Sequence, residues 1–183
     1  MNNLYGLMFD AMVKGDYSEF DAIGHKFYNN FSTIMELIRA LNSDAVIFMQ
    51  TLYNPQSGYL RAPYQQVADR INGAILKYAE EHPGEIIVVD VASALNSDMG
   101  NFASDAIHPS AKGNEAIAKL LLSEINKVYP EGKTEPVINV KGEDMRNATF
   151  AGTINAMGVF FHILSLVLGP FYRIISRIPM PYM

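Results

Sequence analysis

The chain has 183 residues, 49% of them apolar and 18% charged, which is typical of one ordinary globular domain with an appendage. The formal net charge of −5 and the scattered basic residues argue against nucleic acid as a partner, because phosphate binding requires clustered Lys and Arg. The lack of cysteine excludes disulfides, thiolate metal sites and a cysteine nucleophile. The first residues do not match a signal peptide, since they lack a basic region and a continuous apolar stretch.

Residues 1–129 alternate between helical and strand patterns. Apolar residues at helical spacing in FSTIMELIRALN (31–42) predict a helix, with Asn30 or Ser32 as its cap. The continuous apolar run AVIFMQTLYNP (45–55) follows and ends in Asn-Pro. Such a run predicts a strand that is buried on both faces.

The same alternation continues towards residue 129. PYQQVADRINGAILKYAEEH (63–82) predicts a helix, EIIVVDVA (85–92) a second buried strand, and SAKGNEAIAKLLLSEINKVY (110–129) another helix. Strands that are separated by helices of this length join through right-handed crossovers in a parallel sheet. We therefore expect an α/β domain over residues 1–129.

Two further regions follow this domain. Residues 130–150 are rich in Pro, Gly and charge and predict a polar linker. Residues 151–172 then carry no formal charge, and this length is sufficient to cross a bilayer, so we expect a transmembrane or membrane-associating helix over 151–175. An amphipathic helix that lies on the membrane surface is the alternative. Arg173 and Arg177 favour a cytoplasmic carboxyl terminus, and the predicted location is a bacterial membrane or cell surface.

Asp105 and His108 are the residues best suited to catalysis. A histidine that acts as a general base needs a partner to fix its tautomer, and a carboxylate three residues earlier can fold back onto the ring. Pro109 stiffens this turn, and Ser110 can cap the following helix. The turn also follows a predicted strand, at the sheet edge where open α/β proteins place their sites. Most Asp-x-x-His pairs are surface turns, so the spacing alone leaves both interpretations open.

Three stretches in chain order strengthen the catalytic interpretation. They are SDAIHPSAKGNEAIA (104–118), AVIFMQTLYNP (45–55) and IIVVDVASAL (86–95). The first resembles the closing Asp-x-x-His-Pro block of the SGNH, or GDSL-type, esterases and lipases, and the other two resemble strands of secreted bacterial members. The resemblance implies a flavodoxin-like three-layer α/β sandwich, incomplete at its amino terminus, followed here by the C-terminal apolar helix.

The family resemblance also implies a catalytic mechanism. His108 would be the general base and Asp105 its orienting carboxylate, while a serine attacks an ester carbonyl without any metal or organic cofactor. The family places that serine in a Gly-Asp-Ser block after the first strand. The nearest match, KGDYSEF (14–20), follows a helical pattern and has an extra residue before Ser18. A nucleophile turn requires a preceding strand, so we do not expect Ser18 to be the nucleophile.

The opening residues suggest where the rest of the site belongs. Met1-Asn2-Asn3 matches the last positions of the family's Gly-x-Asn-Asp block, which would make Asn2 the oxyanion donor. The nucleophile block would then lie upstream of Met1. An unstructured terminal Asn2 is the alternative. Under the first interpretation, this chain alone is expected to be inactive.

The predicted function is therefore carboxylester hydrolysis, with a small ester or a lipid as substrate. The alternative is a non-catalytic, membrane-anchored remnant or interaction module. The remaining histidines have no metal-ligand spacing with each other or with carboxylates, so we expect no metal site.

Overall fold

Helices make up most of the computed structural model, which describes residues 2–105, 107–132, 159–160 and 162–170. The described residues up to 132 form five α-helices, two strands and three short 3₁₀ turns, in the chain order α1 (Asn2–Lys14), α2 (Glu19–Leu41), β1 (Phe48–Gln50), Gly58–Leu60, α3 (Arg61–Glu81), β2 (Ile87–Val89), α4 (Val91–Asn96), Met99–Asn101, α5 (Ala111–Val128) and Pro130–Gly132. Residues 159–160 and 162–170 are also helical, and we call them the tail helix.

The two strands pair in parallel, with Phe48 opposite Ile87 and α3 as the connection between them. Each strand has only three residues, and the described part of the chain contains no other strand. The expected flavodoxin-like three-layer sandwich is therefore wrong. A sheet of two short strands cannot form the middle layer of such a fold, and helix packing supplies most of the core instead.

The apolar run at residues 45–55 is longer than β1 itself. Beyond the strand, the Asn72 side chain forms hydrogen bonds with the backbone that a neighbouring strand would otherwise form. The Leu52 N–H donates to Asn72 Oδ1 at 2.6 Å, and the Asn72 amide donates back to the Leu52 carbonyl at 2.9 Å. Asn72 belongs to α3, so the helix satisfies the backbone groups that a sheet would otherwise pair. At the end of β2, Asp90 accepts from the Ser93 N–H and begins α4.

Helix α2 begins earlier than its apolar spacing predicts. The apolar spacing predicts Asn30 or Ser32 as its cap, but both lie inside the helix, whose N-cap position is Ser18. The Ser32 hydroxyl donates to the Tyr28 carbonyl one turn back, at 2.9 Å. A polar residue in mid-helix can satisfy its own hydroxyl in this way, so its presence does not mark a helix start.

Helices α2 and α3 pack closely along their length. Gly24 faces the backbone of Arg70, where a Cβ atom would lie only 3.2 Å from the Arg70 carbonyl oxygen. Apolar side chains fill three clusters: Met8, Ala11, Phe20, Leu60 and Val67; Phe31, Met35, Ile75, Tyr78 and Ile86; Val89, Val91, Leu95 and Phe102. The third cluster includes Phe102, so it anchors the segment that leads to Asp105 in the core.

The prediction of a transmembrane helix is also wrong. No helix among the described residues is long and apolar enough to cross a membrane. The tail helix instead contacts the folded domain, since the rings of His162 and Tyr59 stack with centroids 3.9 Å apart. Residues 133–150 of the expected linker, and residues 151–158, 161 and 171–175 of the expected helix, lie outside the described residues.

Candidate functional site

The turn at residues 103–110, which we call the Asp105 turn, is closed by pairing at its base. Phe102 and Pro109 form an isolated antiparallel bridge, and the Ala103 N–H donates to the His108 carbonyl at 2.8 Å. The Phe102 side chain is buried in the core. The turn is thus fixed to the domain at both ends, as a site that must hold a precise geometry requires.

The first turn of α5 fits tightly against this base. Ser110 is the N-cap, its hydroxyl accepting from the Gly113 N–H at 3.2 Å and donating to the Gly100 carbonyl at 2.8 Å. A Cβ atom at Gly113 would lie 2.1 Å from the Asn101 carbonyl oxygen, so only glycine fits there. Asn101 is itself buried and donates to the Leu95 carbonyl at 3.1 Å. These contacts join α4, the Asp105 turn and α5.

Asp105 is almost fully buried, with 3% of its surface exposed. Its Oδ1 accepts from the backbone N–H groups of Ile107 and His108, each at 2.9 Å. This local pattern holds the carboxylate in one orientation and leaves Oδ2 directed at the His108 ring.

His108 completes the dyad. Its Nδ1 lies 2.5 Å from Asp105 Oδ2, while 71% of its side chain is exposed. Its Nε2 has no hydrogen-bond partner among the described residues. A carboxylate that accepts from Nδ1–H fixes the tautomer in which Nε2 can accept a proton. The arrangement can therefore supply a general base at an open surface.

Burial and hydrogen bonding act in opposite directions on the Asp105 carboxyl. Burial alone raises its pKa, but the hydrogen bonds from the His108 ring and from the backbone of His108 and Ile107 outweigh it and lower the pKa below the ordinary value. Asp105 is therefore ionised near neutral pH. Burial, followed by the Asp105 charge, raises the pKa of Tyr53, whose hydroxyl donates to the Ile107 carbonyl at 3.3 Å.

Sequence reasoning did not identify the contribution of Tyr53 or Asn96 to the site. Tyr53 contacts the turn through Ile107 and Phe102, the latter with ring centroids 5.6 Å apart. Asn96 Oδ1 accepts from the Asn54 N–H at 2.7 Å, which holds the segment after β1 against the end of α4. Tyr53 follows β1 and Asn96 is the last residue of α4. Their location at the ends of predicted elements is the one signal in the sequence that could have identified them.

Two further positions were considered for the site, namely Asn2, predicted as the oxyanion donor, and Ser18, which is not expected to be the nucleophile. Asn2 is the first residue of α1, and its side chain lies outside the described residues, so its role as oxyanion donor stays a prediction. Gly15 ends α1 with a φ of 66°, and its N–H donates to the Ala11 carbonyl. Ser18 donates its N–H to Asp16 Oδ1 at 2.9 Å and precedes α2. The Gly-Asp-Tyr-Ser sequence is thus a turn between two helices, with no strand before it.

The described residues contain no group of three or more His, Cys, Asp or Glu side chains that could hold a metal ion. Comparisons of the chain with protein-family models, with curated proteins and with solved structures find no match. The resemblance to the SGNH esterases therefore stays a prediction that depends on the quoted residues.

Proposed function

We propose that the Asp105–His108 dyad serves the hydrolysis of an acyl ester. The observation that carries this proposal is the contrast within the dyad. Asp105 is buried, ionised and fixed by two backbone N–H groups, whereas the His108 ring is exposed with Nε2 open. A surface turn without a function has no need to bury a carboxylate in order to orient an exposed imidazole.

The proposed chemistry requires a serine hydroxyl next to His108 Nε2. The imidazole accepts the hydroxyl proton as Oγ attacks the ester carbonyl, and Asp105 stabilises the resulting imidazolium. The imidazolium then gives that proton to the leaving alcohol, so that an acyl-serine remains. Water, deprotonated by the same imidazole, attacks the acyl-serine and releases the carboxylic acid and the free serine.

The test uses a fluorophosphonate, which phosphonylates only a serine hydroxyl that a neighbouring base activates. The tagged chain is isolated from the cells that naturally produce it, labelled, and mapped by mass spectrometry. We expect a labelled serine in the preparation, with His108→Ala and Asp105→Asn each lowering the labelling rate at least about a hundredfold. Hydrolysis of p-nitrophenyl acetate by the same preparations should fall in parallel.

His82→Ala is the matched control. His82 also faces a carboxylate three residues away, with Nδ1 3.7 Å from Glu85 Oε1, but it ends α3 and belongs to no dyad with a buried carboxylate. Labelling should be unchanged in this variant. A wild-type preparation that shows neither serine labelling nor His108-dependent hydrolysis would overturn the proposal.

A non-catalytic interaction module is the second candidate. It is favoured by one observation, namely that among the described residues no hydroxyl lies at hydrogen-bond distance from His108 Nε2. The same labelling experiment separates the two functions, because an interaction module predicts no activated serine in any preparation.

A further inference from the structure

A cavity of about 260 Å³ lies between α2 and α3, and we call it the α2–α3 cavity. Its lining residues lie between positions 21 and 28 of α2 and between positions 70 and 77 of α3. Within each helix they follow the spacing i, i+3, i+4 and i+7, so they lie on one side of that helix. None of the described residues of the Asp105 turn lines the cavity, which is therefore a separate feature of the molecule.

Two glycines shape this cavity, and only one of them is explained by helix packing. Gly24 lies against the backbone of Arg70, where a Cβ atom would be 3.2 Å from the carbonyl oxygen. A Cβ atom at Gly73 would meet no atom within 4 Å, although glycine inside a helix is less stable than alanine. Gly73 therefore leaves space in the cavity next to the α3 backbone, and glycine permits such a close approach of a ligand.

Arg70 lines the cavity and retains a hydrogen-bond donor. Its Nε donates to Asp21 Oδ1 at 3.0 Å, and its Nη1 donates to the Gln66 carbonyl at 3.3 Å. Its Nη2 has no acceptor among the described residues. Because Asp21 and Gln66 hold two of the three nitrogens, the guanidinium is fixed in orientation while one donor group remains for a ligand.

Lys77 and His25 add two further donor groups. Lys77 Nζ lies 4.7 Å from the centroid of the Tyr28 ring, a contact that holds the ammonium over the aromatic face. Glu81 Oε1 is 3.7 Å from the same nitrogen, which is beyond hydrogen-bond distance. The His25 ring also lines the cavity and has no hydrogen-bond partner in the described part of the chain. The cavity thus has donors on three separate side chains.

Charge and size indicate the class of ligand. Among the described lining residues, Arg70 and Lys77 are opposed by one acid, Asp21, in a chain whose net charge is −5. The cavity is therefore locally positive and favours an anion. Donors on three side chains match the three oxygens of a phosphate group better than the two of a carboxylate, and both Arg and Lys bind phosphate. The volume lies just below the range of about 300–1,000 Å³ for drug-sized ligands, which indicates a small molecule.

We propose that the α2–α3 cavity binds the phosphate group of a small phosphorylated molecule. Arg70 Nη2, Lys77 Nζ and the His25 ring donate to the phosphate oxygens. Gly73 leaves room for the ligand beside the α3 backbone, and the Tyr28 ring supports the Lys77 ammonium. This inference does not depend on ester hydrolysis, because the described residues of the Asp105 turn take no part in the cavity.

The test follows the amide chemical shifts of the isotope-labelled full chain during titration with glycerol phosphate at constant ionic strength. We expect saturable shifts at Gly73 and Lys77. Acetate should bind at least about tenfold more weakly, because a carboxylate has one oxygen fewer and one charge-assisted hydrogen bond is lost. Inorganic phosphate should bind no more tightly than glycerol phosphate.

Lys77→Gln should raise the dissociation constant of glycerol phosphate at least about tenfold, because it removes a cation from the cavity. Lys119→Gln is the matched control, since Lys119 also lies one helical turn from a glutamate and its side chain is 62% exposed, against 57% for Lys77. Its dissociation constant should be unchanged. Gly73→Ala should weaken binding at least about tenfold and retain the fold, because its methyl group enters the open space of the cavity.

Equal dissociation constants for Lys77→Gln and Lys119→Gln would indicate a general attraction of anions to surface lysines and would overturn the proposal. Shifts that do not saturate, or acetate that binds as tightly as glycerol phosphate, would also overturn it. Tighter binding of inorganic phosphate than of glycerol phosphate would indicate a site for the free ion and contradict the assignment to a phosphorylated molecule.

Discussion

Two turns among the described residues carry an aspartate in a stretch that we compared with the blocks of the SGNH esterases, and only one of them brings a histidine ring to its carboxylate. In the Asp105 turn the carboxylate is buried, accepts two backbone hydrogen bonds and binds a histidine ring. In the turn at residues 15–18, Asp16 accepts from the Ser18 N–H and remains exposed. Each carboxylate accepts a hydrogen bond from the backbone N–H two residues later in the chain. The two differ in burial, and only Asp105 also contacts a histidine ring.

The comparison teaches that the anchoring of a turn, more than its own sequence, decides whether it can orient a catalytic group. The Asp105 turn is closed by the Phe102–Pro109 bridge and lies against α5. The turn at 15–18 only reverses the chain between two helices, with Gly15 supplying the positive φ that ends α1. Substitutions that loosen the anchors should therefore affect the first turn and leave the second unchanged.

The largest expected effect is that of Gly113→Ala. The new Cβ atom would lie 2.1 Å from the Asn101 carbonyl oxygen, and because this is a backbone contact, α5 must move away from the Met99–Asn101 segment at the base of the Asp105 turn. We expect the free energy of unfolding to fall by about 3 kcal/mol, which is the upper part of the range for overpacking. Urea denaturation followed by circular dichroism measures the change.

Gly73→Ala is the control for that substitution. Gly73 lies inside α3 with open space where a Cβ would point, so alanine should stabilise the protein by about 0.5–1 kcal/mol through helix propensity. If Gly113→Ala were as well tolerated as Gly73→Ala, the close contact between α5 and Asn101 would be absent in solution.

Loss of the Asp105 charge should have the next largest effect, and its size should depend on pH. The pKa of Asp105 is lowered in the folded protein, so its contribution to stability is complete above the ordinary value of 3.8 and disappears as the pH falls through the folded pKa. At pH 7 we expect Asp105→Asn to cost about 2 kcal/mol, since a charge-assisted hydrogen bond is lost. Below pH 3.8 the difference from wild type should shrink.

Asp16→Asn sharpens the comparison between the two turns. The Ser18 backbone and side chain lower the pKa of Asp16, so this variant should show the same sign of pH dependence. Its carboxylate is exposed, however, and solvent screens the interaction, so the change should be smaller than that of Asp105→Asn. Urea midpoints measured between pH 2.5 and pH 7, about the range in which carboxyl groups titrate, provide the test. If the urea midpoints of the two variants changed equally with pH, the conclusion that Asp105 is buried in solution would be contradicted.

Local features of this fold could be predicted from the sequence, whereas its architecture could not. The apolar runs near residues 48 and 87 do form strands that pair in parallel. Their composition cannot show how many neighbours each strand has, and it cannot show that Asn72 of α3 takes the place of a further strand next to Leu52. The sandwich prediction was wrong because it converted two apolar runs into a complete sheet.

The candidate site shows the same division. The spacing of Asp105 and His108 and the following proline predicted a fixed turn, and the two side chains do lie at hydrogen-bond distance. The Tyr53–Ile107 contact joins residues 54 positions apart in the chain, and the Asn54–Asn96 contact joins residues 42 positions apart. No local pattern encodes such a contact, because the packing of α3, α4 and α5 brings the segments together.

The smallest expected effect is that of Ser110→Ala, which removes one hydroxyl and leaves the backbone of the Asp105 turn unchanged. The Ser110 hydroxyl bonds both the Gly113 N–H and the Gly100 carbonyl, so its loss should cost about 1 kcal/mol. Ser18 occupies the same N-cap position in α2 but makes no side-chain capping bond, and its hydroxyl interacts only with the exposed Asp16 carboxylate, so Ser18→Ala should lower the urea midpoint less than Ser110→Ala does. Because the two substitutions are chemically identical, a larger loss in Ser18→Ala would mean that the anchoring of the two turns is not what distinguishes them.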